Sequence, residues 1–461
     1  MPSVKEPPAG VETIPIPLPS PEAMFRRLTR RRGVAWLDSA DTHPQWGRFS
    51  VLAAEPVQTL STSERPLTAL QQRLDQTTEG GSLGRAENDS PIPCFCGWIG
   101  YIAYDVGRDI ETLPARAIDD LAWPVIQMGL YDSVAVYDHQ SGKSYIQLVK
   151  YPGGSSVETR LAFWRAIATE KPAPSDKMAP PEMIPPPESN IERTDYLTRV
   201  ARAVEYIRAG DIFQVNLSQR FHSRLPFPAP ELYCRLRRTN PASFAAYLKF
   251  GRRAVLSSSP ELFLLTHGDR VVTRPIKGTR GRGRNPEEDE ALKRELLASE
   301  KDAAELTMII DLERNDLGRV CQYGSVRVTA ARELETHPTV HHLVGTVEGR
   351  LRRNCSLIDL LRATLPGGSI TGAPKVRAME IIEELEPVRR SVYTGSIGVL
   401  GWDGSCRLNL AIRTMLADGE DVFWQVGGGI VADSIPQAEY QETLDKGRGL
   451  LAALQATKLC S

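Results

Sequence analysis

The 461-residue chain lacks any run of eighteen or more apolar residues, which excludes an ordinary helical membrane span. It also lacks a charge of either sign. Its 56 Lys and Arg against 57 Asp and Glu leave a net charge of -1, so bulk electrostatics favours neither nucleic acid nor an anionic membrane as partner. Any anion recognised here has to be met by a local cluster. Cysteine is sparse and unpatterned. There are seven, an odd number without framework spacing, and Cys94-Phe-Cys96 is neither a redox CxxC nor half of a zinc site. Buried or surface thiols in a reducing compartment are expected. The N-terminal stretch MPSVKEPPAGVETIPIPLPSPEAM carries glutamates and prolines in place of a basic start and an apolar core, so no signal peptide is expected and the protein reads as cytoplasmic. No internal repeat occurs at a fixed period.

What is present is the balance of a soluble globular protein, 41% hydrophobic and 25% charged. One composition shift stands out: KPAPSDKMAPPEMIPPPESN, residues 171–190, reads as a Pro-rich linker. It divides an N-terminal region, residues 1–170, from a larger region, residues 191–461. GVAWLDS, FSVLAAEP, SVAVYDH and SYIQLVKY alternate like strands before the linker, and AAYLKF, AVLSSS, ELFLLT, SVRVTA and TGSIGVLGW do so after it. Long helical patterns cover 287–317, 356–365, 375–385 and 438–454. Strands mostly follow strands, with helices between groups, so an α+β fold is expected.

Several short stretches carry chemistry. In TRPIKGTRGRG, Lys277 stands among Arg274, Arg280, Arg282 and Arg284, a setting in which neighbouring cations would push its proton off. Asp302 and Glu305 share a helix face at i, i+3, and so do Glu439 and Glu442. Two such pairs facing each other could hold a hard cation such as magnesium, although spacing alone more often describes solvated helix faces. LPGGSITGAPK nearly matches a P-loop, but Ala373 follows Gly372 where the phosphate-binding lysine should stand. Pro374 suits a first helical turn. The three glycines of WQVGGGIVADS, Gly427 to Gly429, allow close backbone approach and offer amides to a carboxylate. Arg413 follows an apolar run and needs a partner, either a protein acid or a ligand carboxylate. His342, in HHLVGTV, carries little weight alone.

Taken in order, PIKGT, SEKDAAELTMIIDLERNDLGRV, HHLVGTVEG, LPGGSITGAPK, TGSIGVLGW, NLAIRT and VGGGIVADSIPQAEYQET resemble the chorismate-utilising enzymes from about Tyr196 to Leu450. The resemblance implies two packed, mainly antiparallel β-sheets with outer helices and an active site in the cleft between the sheets. It implies Mg2+ held by Glu305 and Glu442, with Asp302 and Glu439 acting through water. Substrate contacts are implied for Gly278, Thr279, Ser369, Tyr393, Arg413 and the Gly427, Gly428 and Gly429 amides. Gln214 occupies the position at which the isochorismate and salicylate synthases carry a water-activating lysine, so hydration is disfavoured. Lys277 occurs in the aminodeoxychorismate branch, where the anthranilate branch has another residue, usually alanine. That branch implies catalytic roles for Lys277, Glu261 and His342, with chorismate and ammonia as substrates. Cys321 and Cys406 lack the setting of an amidotransferase nucleophile, so a separate glutamine amidotransferase subunit is implied as ammonia source. Anthranilate synthase component I is the alternative. Ser39, Trp46 and Phe49 fall where relatives bind tryptophan, and Ser243 stands where relatives often carry proline. A solid apolar core is the other expectation for that place.

Overall fold

The computed structural model describes residues 10–77, 92–150, 154–171 and 186–455. Most of the Pro-rich stretch, residues 172–185, lies outside the described residues. Among those described, the strands form two antiparallel sheets of twelve and ten strands. The larger runs from Glu12–Pro15 through Lys143–Leu148, Ser133–Asp138, Phe49–Ala53 and Ala35–Asp38. It continues through Phe244–Phe250, Arg253–Ser259, Thr414–Asp418 and Asp421–Ile430 to Gln214–Arg224 and Gly372–Ala373. The smaller starts at Ile276–Gly281 and Val340–Arg350 and ends at Ile126–Tyr131 and Gln58–Thr62. Segments from both sides of the linker share both sheets, since Ala35–Asp38 pairs with Phe244–Phe250 and Gly97–Ile102 pairs with Ser396–Gly401.

The sheets pack face to face. Val51, Val134, Val136, Leu248 and Val255 of the larger meet Ile99, Tyr101, Ile397 and Val399 of the smaller in one buried cluster. Helices cover the outer faces. Ser133–Asp138, Gly97–Ile102 and Ser396–Gly401 are buried at every residue, which is why their sequences read as nearly unbroken apolar runs.

Helix limits largely follow the sequence patterns, and Lys375–Leu385 matches its pattern at both ends. Two differences have clear causes. The pattern over 287–317 is two helices, Pro286–Ala298 and Glu300–Gly318, because Ser299 adopts extended backbone and its side chain caps the Asp302 amide. Pro374 lies just outside its helix, at the N-cap.

The second of those helices, Glu300–Gly318, also carries a buried acid that the sequence reading passed over. Burial and the neighbouring Asp316 push the Glu313 carboxyl up to about 8, against the opposing pull of Lys375 and a hydrogen bond from Thr273. A folded-state pKa above the unfolded value means that the native protein binds the extra proton, so stability is lost as pH rises from about 4 to about 8. Glu313→Gln is therefore expected to flatten the fall in melting temperature across that range. Parallel pH slopes for variant and wild type would contradict the assignment.

Candidate active site

Lys277 lies on the edge strand of the smaller sheet. Its register against Val340–Arg350 slips between Lys277 (opposite Leu343) and Thr279 (opposite His342), which makes Gly278 a β-bulge at φ 80°. A side chain at Gly278 would also meet Asp302 and Leu296 at 3.0 Å, so both backbone and space call for glycine. The Lys277 amine reaches toward the other sheet. A Cβ placed on Gly429 would lie 3.6 Å from Lys277 Nζ and 2.6 Å from Gln214 Nε2. Gln214 is wholly buried, and neither atom of its amide has a hydrogen-bond partner.

Burial lowers the Lys277 pKa, and Lys446 adds to this, while Glu305, Glu261 and Glu442 oppose it. The arginines expected to do so are committed elsewhere. Arg274 pairs with Glu333 and Glu335, Arg280 with Glu295 and Asp302, Arg282 with Asp289, and Arg284 with Glu288. Proximity in sequence was misleading here, because each of these guanidiniums is turned onto a carboxylate of its own.

Glu261, in the turn between Arg253–Ser259 and Leu262–His267, is buried. Burial pushes its carboxyl up to about 7, although a 2.7 Å hydrogen bond from Ser369, Lys277 and Arg413 all favour the ionised form. Ser369 thus meets the candidate acid directly. Arg413 has left-handed backbone at φ 50°, and its guanidinium makes no hydrogen bond or ion pair among the described residues. The protein-acid alternative for Arg413 therefore fails, and a carboxylate-bearing ligand could satisfy it. His342 Nδ1 is 2.8 Å from Thr279 Oγ1, and its Nε2 is buried without a partner. Burial, Arg413 and His337 hold its pKa well below the usual value, so it is neutral. Tyr393 is buried, with Arg390 5.9 Å from its ring centre.

The four acids approach from two helices, Glu300–Gly318 and Pro436–Gln455. Gly428 faces the pair on the second helix: a Cβ there would lie 3.2 Å from Glu442 Oε1 and 3.4 Å from Glu439 Oε2. Glu305 is raised by burial and by its acidic neighbours Asp302 and Glu442. Among the described residues the acids do not form a closed set of three or more metal donors. Glu442 is 2.7 Å from Lys446, and Asp302 is held by Arg280. In donor chemistry the residues fit magnesium, all being carboxylates, and one Glu439 oxygen is buried and unpaired.

The three glycines fall within the last four residues of a strand. Asp421–Ile430 runs through Gly427, Gly428 and Gly429, paired with Ser218, Leu217 and Asn216. Beyond Trp424 its other edge has no strand partner, and there the Gly427 carbonyl accepts from Lys446 Nζ at 3.0 Å. Cys321 and Cys406 are buried, and burial pushes their thiols up to about 11 and about 12, the reverse of nucleophile activation.

Ser39, Trp46 and Phe49 do come together. They line a cavity of about 90 Å³ between the sheets, with Phe95, Ser243 and Arg407. The solid core expected as the other reading is absent there. Ser39 Oγ donates to Phe49 O at 2.8 Å, and the Arg274 guanidinium stacks 4.2 Å above the Trp46 ring.

Fold and site define a class: a two-sheet α+β protein whose cleft holds a partly buried amine, an unpaired guanidinium and carboxylates from two helices. The chain belongs to the chorismate binding enzymes, the family that matches residues 33–452, and it is therefore an enzyme acting on chorismate. It is 41% identical over 446 residues to an anthranilate synthase component 1 of Haloarcula marismortui, covering 94% of this chain and 90% of that one. It is 38% identical over 450 residues to the aminodeoxychorismate synthase component 1 of Escherichia coli, covering 94% and 96%. Among solved structures, anthranilate synthase component I of Streptococcus pneumoniae superposes with a TM-score of 0.77 at 34% identity, over 87% of this chain and 92% of that one. Overall similarity does not separate the two activities.

Proposed function

We propose that the protein is the chorismate-aminating subunit of an aminodeoxychorismate synthase, converting chorismate and ammonia to 4-amino-4-deoxychorismate for 4-aminobenzoate and folate synthesis. One observation carries the choice: the cleft holds a lysine amine, Lys277, aimed at Gly429 and Gln214 and lowered in pKa by burial. An anthranilate synthase needs only ammonia at C2 and has no use for that amine.

In this reading Arg413 takes one substrate carboxylate. The Lys277 amine forms a bond to ring C2, the two ring double bonds shift, and the C4–O bond breaks. Glu261 gives its proton to the departing hydroxide, which leaves as water. Ammonia then bonds to C4, the double bonds return, and the C2–N bond to Lys277 breaks. Glu305 and Glu442, with Asp302 and Glu439 behind them, would hold Mg2+, which when bound polarises the ring carboxylate. Gln214 has no basic group with which to activate water, which favours amination over hydration. The relatives' names imply a glutamine amidotransferase subunit as the ammonia source, and the cavity at Ser39, Trp46 and Phe49 is the candidate tryptophan pocket.

The test is to incubate the protein with chorismate, ammonium and magnesium, with and without a chelator, and to weigh the product. A product in which hydroxyl is replaced by amine and the enolpyruvyl group is retained supports the reading, and the chelator should abolish it. Anthranilate and pyruvate would overturn it in favour of the second activity.

A further inference from the structure

Arg390 is 2% exposed, yet it lies at the junction of nearly every segment that reaches the cleft. Its guanidinium forks onto Glu386 at 2.6 and 2.9 Å, and donates to the Ile370 carbonyl at 2.9 Å and the Asn216 carbonyl at 2.7 Å. Ile370 adjoins Ser369. Asn216 is two residues beyond Gln214 on the same strand. Glu386 also accepts from the Ser218 amide and hydroxyl, each at 2.8 Å, which ties it to that strand again. The Tyr104 and Tyr393 rings lie 4.8 and 5.9 Å from the guanidinium.

The backbone around it is strained in a way that needs such support. Ser391 and Thr394 have φ of 53° and 60° on either side of Tyr393, conformations that persist only where surrounding structure over-determines them. The Ser391 amide donates to Asp105 at 3.0 Å, and the Thr394 amide to the Ala411 carbonyl at 2.8 Å, two residues before Arg413. A buried ion pair is a poor source of stability, since apolar residues of similar volume often serve as well. Its geometry is the better explanation for its presence.

We infer that Arg390 is a positioning residue for the proposed amination: it holds Tyr393, the Ser369 loop and the Gln214 strand in one geometry without itself meeting the substrate. This rests on the proposed function, and the experiment separates the two. Chorismate consumption is measured with ammonium and magnesium, whatever the product. An inert wild type would sink the functional reading. Given an active wild type, Arg390→Lys keeps the charge but loses the fork, and kcat/KM is expected to fall about 10²-fold, the scale of a small misplacement of catalytic groups. Arg390→Ala should fall further and recover with millimolar guanidinium, but not with sodium, at unchanged melting temperature. Should that variant not fold, Arg390→Met with Glu386→Gln removes both charges together and is expected to fold with the same deficit. Wild-type turnover in the lysine variant or in the double variant overturns the inference. So does guanidinium that restores melting temperature without restoring kcat/KM.

Discussion

Lys277→Ala is expected to lower the rate of amination by at least about 10³-fold, the scale reached when a covalent nucleophile is removed. The loss should appear in kcat as well as kcat/KM, because the amine is proposed to bond to the ring and not merely to hold it. Lys277→Arg should do no better, since a guanidinium stays protonated and cannot add to carbon. The direct check is to denature the wild-type enzyme during turnover, digest it, and weigh the peptide carrying Lys277. A mass increase matching chorismate less water, absent from the alanine variant, is the expected result. An alanine variant within tenfold of wild type would remove the covalent step, whatever the product.

Glu261→Gln carries the second large effect. Loss of a general acid costs about 10² to 10⁴ in rate, and here the pH profile adds information. The Glu261 carboxyl, raised to about 7, donates only while protonated, so its contribution falls as pH climbs through that value. Lys277 adds only while neutral, so its contribution grows with pH as its lowered pKa is approached. The two trends oppose each other, and kcat/KM should be bell-shaped, with limbs that belong to the interacting pair and not to either residue alone. Glutamine cannot titrate. The variant is therefore expected to lose the fall on the alkaline side and to keep the rise. A variant that keeps the same alkaline fall would move the acid role elsewhere, with the free Nε2 of His342 the first place to look.

Much of this was legible in the residues. The strand and helix patterns follow from alternation and helical spacing, which local sequence carries directly. Lys277, Arg413 and the two acidic pairs were named from the residues, and Glu261 and Ser369 from the resemblance; the structure puts Glu261 against Ser369, within the fields of Lys277 and Arg413. The pairs were recognisable because i, i+3 spacing places side chains on one face wherever the helix goes. Arg390 was missed for an equally physical reason. It belongs to no periodic pattern, and its partners Ile370 and Asn216 offer backbone carbonyls, which leave no trace in side-chain identity.

The setting of Lys277 shows most clearly how the work divides. The sequence by itself determined an amine beside a glycine, in a frame that reads as a turn, and a chain with the chemistry of its family; that the frame is a strand, Ile276–Gly281, came from the structure. It did not determine what that amine faces. Four arginines close in sequence turned out to be satisfied by carboxylates, Asp302 among them. The amine instead lies beside Gly429 of the other sheet, within the fields of Glu305, Lys446, Glu261 and Glu442. Only tertiary structure could decide this, because a pKa depends on burial and on charges a few ångströms away, and those distances are set by how two sheets stack and not by the order of residues along either one.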